Sequence, residues 1–168
     1  MDLKYTQHLP SDFHPDSRVW IYQCNRQFTA TQTSEIDNIL GEFCGQWTSH
    51  GAKVKGFGKV LFDKFIILMA DETASGVSGC STDSSVRLIK EIESRFGVSL
   101  FERENLAFFT DGYITQIHLK ELEKAFHEGI INPESLYFNN TILTKKELET
   151  NWIIPMKISW LKNRITEK

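Results

Sequence analysis

Ten consecutive residues, Gly76-Val77-Ser78-Gly79-Cys80-Ser81-Thr82-Asp83-Ser84-Ser85, bring together a thiol, a cluster of hydroxyls and two glycines. Just beyond them, Val86, Ile89, Ile92 and Phe96 recur on one helical face with Leu88 beside it, and Gly97 supplies a stop. The stretch therefore leads from a strand into a helix N-terminus, where free N–H groups and the macrodipole favour an anion. Gly76 and Gly79 would let a phosphate or carboxylate approach the backbone, and Ser78, Ser81, Thr82 and Ser84 would supply further donors. A Cys80 thiolate would be stabilised at the same place, which makes it the candidate nucleophile or redox-sensitive thiol. Against this stands a plain structural role, in which Ser81, Thr82 or Asp83 caps the helix and the glycines relax the loop. Asp71, Glu72 and Asp83 add negative charge that opposes both an anion and a thiolate, and the loop holds no basic residue. The cap reading is the weightier.

Other reactive types are scattered. Cys24, Cys44 and Cys80 form no CxxC pair, and His8, His14, His50, His118 and His127 have no metal-ligand spacing, so the sequence predicts no metal site and no cofactor. His50 is expected near a helix C-terminus, where the dipole favours its protonated form. His118 is expected at a strand-to-helix junction, with its position relative to Cys80 open. Gly56-Phe57-Gly58-Lys59 sits in a lysine-alternating pattern that reads as a bulged edge strand rather than a phosphate loop, and G-x-x-x-x-G-K-S/T is absent. ATP hydrolysis is accordingly not expected. Trp20, Trp47, Trp152 and Trp160, with Phe108 and Phe109, read as core more readily than as a stacking platform.

The elements that must position these groups follow from period and turn chemistry. Residues 18–25 form a strand apolar on both faces, and 35–50 a helix carrying Ile36, Ile39, Leu40, Phe43 and Trp47, capped by Thr31, Thr33 or Ser34 and ended by Gly51. Residues 52–62 read as an edge strand and 64–72 as a central one, joined near Asp63 with Gly56 and Gly58 marking a bulge or a shifted turn. Asp111-Gly112 joins the strands NLAFFT and YITQIHL in a type I′ hairpin. A short helix stops at Gly129, and Thr144 with Glu147 forms a capping box, with Leu143 and Leu148 as its staple, before another.

The order strand, helix, strand, strand, helix, strand over 18–112 predicts an α+β fold with a ferredoxin-like, split βαβ core of about five strands. Two helices would cover one face, and the other would be covered by a partner subunit or, as favoured here, by the C-terminal segment with Trp152, Trp160 and Leu161. The expected organisation is one domain over 1–168, with its core at 18–118 and a helical extension at 119–168.

A net charge of −3 from interspersed residues gives no footprint for nucleic acid or anionic lipid. The longest apolar run, Phe65 to Ala70, is far short of the ~20 residues of a membrane helix, and the N-terminus lacks a secretory h-region. A cytoplasmic protein with reduced thiols is expected, with a small anionic ligand or a protein partner, and neither nucleic acid nor membrane.

The stretches SRVWIYQ at 17–23, WTSHG at 47–51, SGVSGCSTDSS at 75–85 and NWIIP at 151–155 resemble an uncharacterised family of small bacterial cytoplasmic proteins, some of which carry the label "ABC transporter ATPase". Val77-Ser78-Gly79 is similar to the LSGGQ signature of transporter ATPases, while the lysine loop of those enzymes has no counterpart here. The resemblance implies no catalytic residues. The functional expectation is a non-catalytic small-ligand or protein-interaction domain with an anion site at 76–85, and the alternative is a small thiol- or anion-dependent enzyme using Cys80.

Overall fold

A computed structural model describes residues 2–71, 73 and 79–165, with residues 79–81 described by their backbone. The architecture is mixed α+β, with four α-helices and three antiparallel sheets among the described residues. The first sheet holds β1 (Arg18–Gln23), β4 (Lys55–Leu61) and β5 (Phe65–Asp71) in the order β1-β5-β4. All seven residues of β5 are buried, as expected of a central strand covered on both faces. Its side chains alternate between two cores. Ile66 and Leu68 pack against Ile36, Leu40 and Cys44 of α1 (Ala30–Gln46) and Leu88, Ile89 and Ile92 of α2 (Gly79–Phe96). Phe65, Ile67 and Met69 face Tyr5, Leu9 and Phe13 of the N-terminal segment together with Phe138, Ile142, Leu148 and Trp152. The N-terminal segment thus shares the covering role expected of the C-terminal segment.

The two helices begin and end where local chemistry allows, not always where periodicity suggests. Thr29 caps α1 through a reciprocal capping box with Gln32, several residues before the caps expected at Thr31, Thr33 or Ser34. The helix stops at Gln46 because Trp47 leaves it with extended ψ to bury its ring beside Trp20 and Phe43. Consequently His50 is not on a helix terminus: His50 (φ 50°) and Gly51 (φ 79°) form the turn between β2 (Thr48–Ser49) and β3 (Ala52–Lys53). Helix α2 starts at Gly79, so Ser81, Thr82 and Asp83 lie inside its first turns rather than capping it. Gly97, at φ 60°, follows its end as expected.

Gly56 and Gly58 mark neither a bulge nor a turn, since β4 pairs with β5 in unbroken register from Lys55↔Asp71 to Leu61↔Phe65. They are where α1 lies directly on the sheet. A Cβ at Gly58 would come 2.8 Å from Leu40 Cβ, and one at Gly56 2.8 Å from the Trp47 ring. The β4–β5 turn falls at Phe62 and Asp63, both at positive φ, and the Lys64 N–H donates to the Leu61 carbonyl to close it.

The strand after α2 departs from the split βαβ order, in which it would return to pair with the first strand. Instead β6 (Asn105–Thr110) pairs with β7 (Tyr113–His118) through the Asp111-Gly112 turn and with β8 (Leu136–Phe138) on its other side. The second sheet runs β7-β6-β8-β9, with β9 at Ile153–Pro155. A hairpin partner two residues away costs little loop-closure entropy, and with β8 on the other side both edges of β6 are taken. Among the described residues the sheet that holds β1 has three strands, where a core of about five was expected, and β1, central in the split βαβ order, is at its edge. Helix α3 (Leu122–His127) packs on the second sheet, while α4 (Lys145–Asn151) contacts β1. No helix among the described residues is long and apolar enough to cross a membrane.

Candidate functional site

Gly76 and Ser78 lie outside the described residues, as do the side chains of Cys80 and Ser81; the backbones of Gly79, Cys80 and Ser81 form the first turn of α2. Thr82 and Ser84 are half-buried just after them, and the hydroxyl of Ser85, fully buried, donates to the Thr82 carbonyl at 2.7 Å. The other two cysteines are closed to chemistry. Burial raises the thiol pKa of Cys24, and it pushes that of Cys44 up to about 11. Lys64, 3% exposed and coupled electrostatically to Cys24, is pushed down by burial. His118 caps the turn at Leu119–Glu121 through Nδ1, which accepts from the Lys120 N–H, and its Nε2 lies 3.2 Å from Glu104. No group of His, Cys, Asp or Glu among the described residues is placed to hold a metal ion.

The structure instead opens a cleft of about 350 Å³ along β1, a volume within the range of ligand pockets. Five consecutive residues, Val19 to Gln23, line it. Side chains of successive strand residues point to opposite faces, so only an approach along the strand's edge meets all five. The register confirms that this edge is open. Cys24 N–H bonds to the Lys64 carbonyl, so even-numbered residues of β1 face β5, while odd-numbered ones point outward. Val19 N–H bonds outward to the Leu143 carbonyl at 2.8 Å. Beyond it, the Val19 C=O, the Ile21 N–H and C=O and the Gln23 N–H have no hydrogen-bond partner among the described residues.

Both ends of this open edge are fastened. At one end Thr144 bridges to Arg18 and the Lys145 N–H donates to the Ser17 carbonyl. At the other, the Gln23 side chain, 6% exposed, donates to the Asn105 carbonyl at 2.7 Å and accepts from Asn140 Nδ2 at 2.9 Å. Asn140 in turn accepts from the Trp152 indole at 2.9 Å, which ties the site to the core.

Two walls rise from this floor. One is the loop after α2, with Phe101 edge-on to the Tyr22 ring at 5.4 Å, followed by Glu102 and Arg103. Burial raises the Tyr22 hydroxyl pKa, partly offset by the positive charge of Arg103. Arg103 makes no hydrogen bond or ion pair among the described residues, so its charge is available to a ligand. The other wall is the segment after β8, from Asn140 to Leu143, with Trp160 donating to the Tyr137 hydroxyl at 3.3 Å. Phe101 (37% exposed), Leu143 (66%) and Trp160 (37%) are large apolar side chains left in solvent, and all three line this cleft. Of the two residues expected to form the staple of α4, Leu143 is largely exposed and Leu148 is fully buried. The capping box of Thr144 and Glu147 does form, and Glu147 also accepts from the Leu143 N–H at 2.8 Å, fixing this wall.

Among the described residues no His, Cys, Ser, Asp or Lys lines the cleft; its hydroxyls are those of Tyr22, Tyr137 and Thr141, and its one carboxylate is that of Glu102. What it offers is backbone pairing, apolar surface and one free cation. A second pocket of about 280 Å³, between the N-terminal segment and α1, has among its lining residues Lys59 and Asp37, which pair at 2.9 Å. Sequence reasoning missed Phe101 and Arg103 and favoured a core role for Trp160 over a stacking one. No local signal marks an edge that distant segments leave open.

Compared with known protein families, curated proteins and solved structures, the chain matches none.

Proposed function

We propose that this chain is a non-catalytic binding protein that takes a small ligand or a protein segment in the cleft along β1. The observation that carries the reading is the coincidence of an unpaired strand edge at Ile21 with three solvent-exposed apolar side chains, Phe101, Leu143 and Trp160, around one cavity. Isolated exposed apolar residues are ordinary, whereas their convergence on a concave site with unsatisfied polar groups is the signature of a binding site. Arg103 favours ligands carrying an anionic group. The net charge of −3 argues against a nucleic-acid ligand.

The cleft draws its walls from both halves of the chain, which supports reading 18–118 and 119–168 as one unit. Within it, β1, β5 and β4 with α1 and α2 read as a split βαβ unit whose fourth strand has been drawn into a neighbouring sheet. The free, buried Cys24 and Cys44 fit a reducing, cytoplasmic setting.

The test is an NMR titration with three carboxylates of graded size: phenylacetate, indole-3-acetate and 4-methylpentanoate. At least one should shift the Ile21 and Arg103 amides and the Trp160 indole together, and W160A should weaken that binding about tenfold. Shifts absent from these three groups at millimolar ligand would refute the reading.

A further inference from the structure

Resting on the reading of the β1 cleft as the binding site, we infer that its occupant is an extended peptide segment carrying an acidic residue between apolar neighbours, added as a short strand to the open edge of β1. The first ground is the floor. The Val19 C=O, the Ile21 N–H and C=O and the Gln23 N–H alternate as acceptor and donor along one line, which another extended backbone complements and a compact small molecule does not. The second is the pair of walls. An extended chain sends alternate side chains to opposite sides, and the cleft has one wall on each side of the edge: Phe101 and Arg103 on the side of Tyr22, Ile142 and Leu143 on the side of Val19.

The third ground is charge and length. An acidic side chain facing Arg103 has both neighbours facing Leu143 and its wall, which requires those neighbours to be apolar. The Arg18–Thr144 bridge and the Gln23 bonds to Asn105 and Asn140 bound the open stretch, leaving room for four or five residues at about 3.3 Å each. Edge-to-edge pairing with β1 of a second copy does not fit, because that edge lies equally deep between walls and the two could not meet.

The experiment selects phage-displayed random octapeptides on the full chain and on R103E in parallel. Octapeptides retained by the wild type should carry Asp or Glu flanked by apolar residues and be depleted about tenfold or more on R103E. A synthetic selected octapeptide should slow hydrogen exchange at the Ile21 amide, and N-methylation at its two central residues should weaken binding about tenfold by removing edge hydrogen bonds. The I21P variant removes the donor from an edge whose N–H makes no ladder bond and should also abolish binding; its fold is checked by circular dichroism. Should that variant unfold, the N-methylated peptide tests the same bond without altering the protein. Failure to enrich any octapeptide, or affinity indifferent to N-methylation, overturns the inference. If the carboxylates still shift Ile21, Arg103 and Trp160, the cleft remains a binding site and only the peptide assignment falls; octapeptides that protect amides away from β1 would sink both.

Discussion

Replacing Asp71 by Asn probes how the N-terminal segment is fastened over the sheet. Asp71 is 5% exposed at the end of β5. Its Oδ1 accepts from the Thr73 N–H at 3.1 Å and the Thr73 hydroxyl at 2.7 Å, and its Oδ2 accepts from the His14 N–H at 3.1 Å. Lys55 Nζ stands 3.6 Å from Oδ2 and also reaches Asp12 at 3.0 Å, with the Phe13 ring beneath it. Burial by itself raises the carboxyl pKa, but the bonds from Thr73 and His14 and the charge of Lys55 outweigh it and hold Asp71 at about 2, against an ordinary 3.8. Such a depression corresponds to roughly 2 kcal/mol of stability. The folded pKa lies below the unfolded one, so this contribution is complete above about pH 4 and lost as the pH falls through about 2. Asn keeps the volume but points an N–H₂ at groups that are themselves donors. D71N should therefore lose about 2 kcal/mol at neutral pH, equivalent to about 4–8 °C in Tm for a chain of this size. Urea unfolding followed by tryptophan fluorescence, from neutral pH down to about pH 2, reads the gap between wild type and variant directly. The gap should close at the acid end. A gap constant with pH, or below about 0.5 kcal/mol at neutrality, would refute the argument.

Two further outcomes follow from packing. G58A should cost about 1–3 kcal/mol in urea unfolding, because its Cβ meets the rigid Leu40 Cβ at 2.8 Å, whereas G41A, on the same helix with nothing within 4 Å, should be neutral or stabilising. Iodoacetamide at neutral pH should leave Cys24 and Cys44 unmodified in the native protein and label both in denaturant, as mass spectrometry would show, because both are buried and their thiolates disfavoured.

Period and turn chemistry act over a few residues, and what depends on them was legible in the sequence. The unbroken apolar run of β5 announces a strand covered on both faces, Asp111-Gly112 the hairpin of β6 and β7, Gly97 the end of α2, and Thr144 with Glu147 the start of α4. Where two signals of similar strength compete nearby, the choice needed the fold. Thr29 caps α1 rather than a later hydroxyl, and Trp47 leaves the helix because its ring finds a buried site with Trp20, Phe43, Val54 and Ala70. Gly56 and Gly58 could be seen but not explained, since the helix that crosses them lies elsewhere in the chain. The binding cleft was hidden for a more basic reason. Apolar residues on both faces of β1 report that the faces are covered; they carry no information about the strand's edges, which are backbone. Whether an edge is paired depends on where distant strands go, and β6 found both its partners in its own half of the chain. That pairing left the Ile21 edge open between walls that only the tertiary structure brings together.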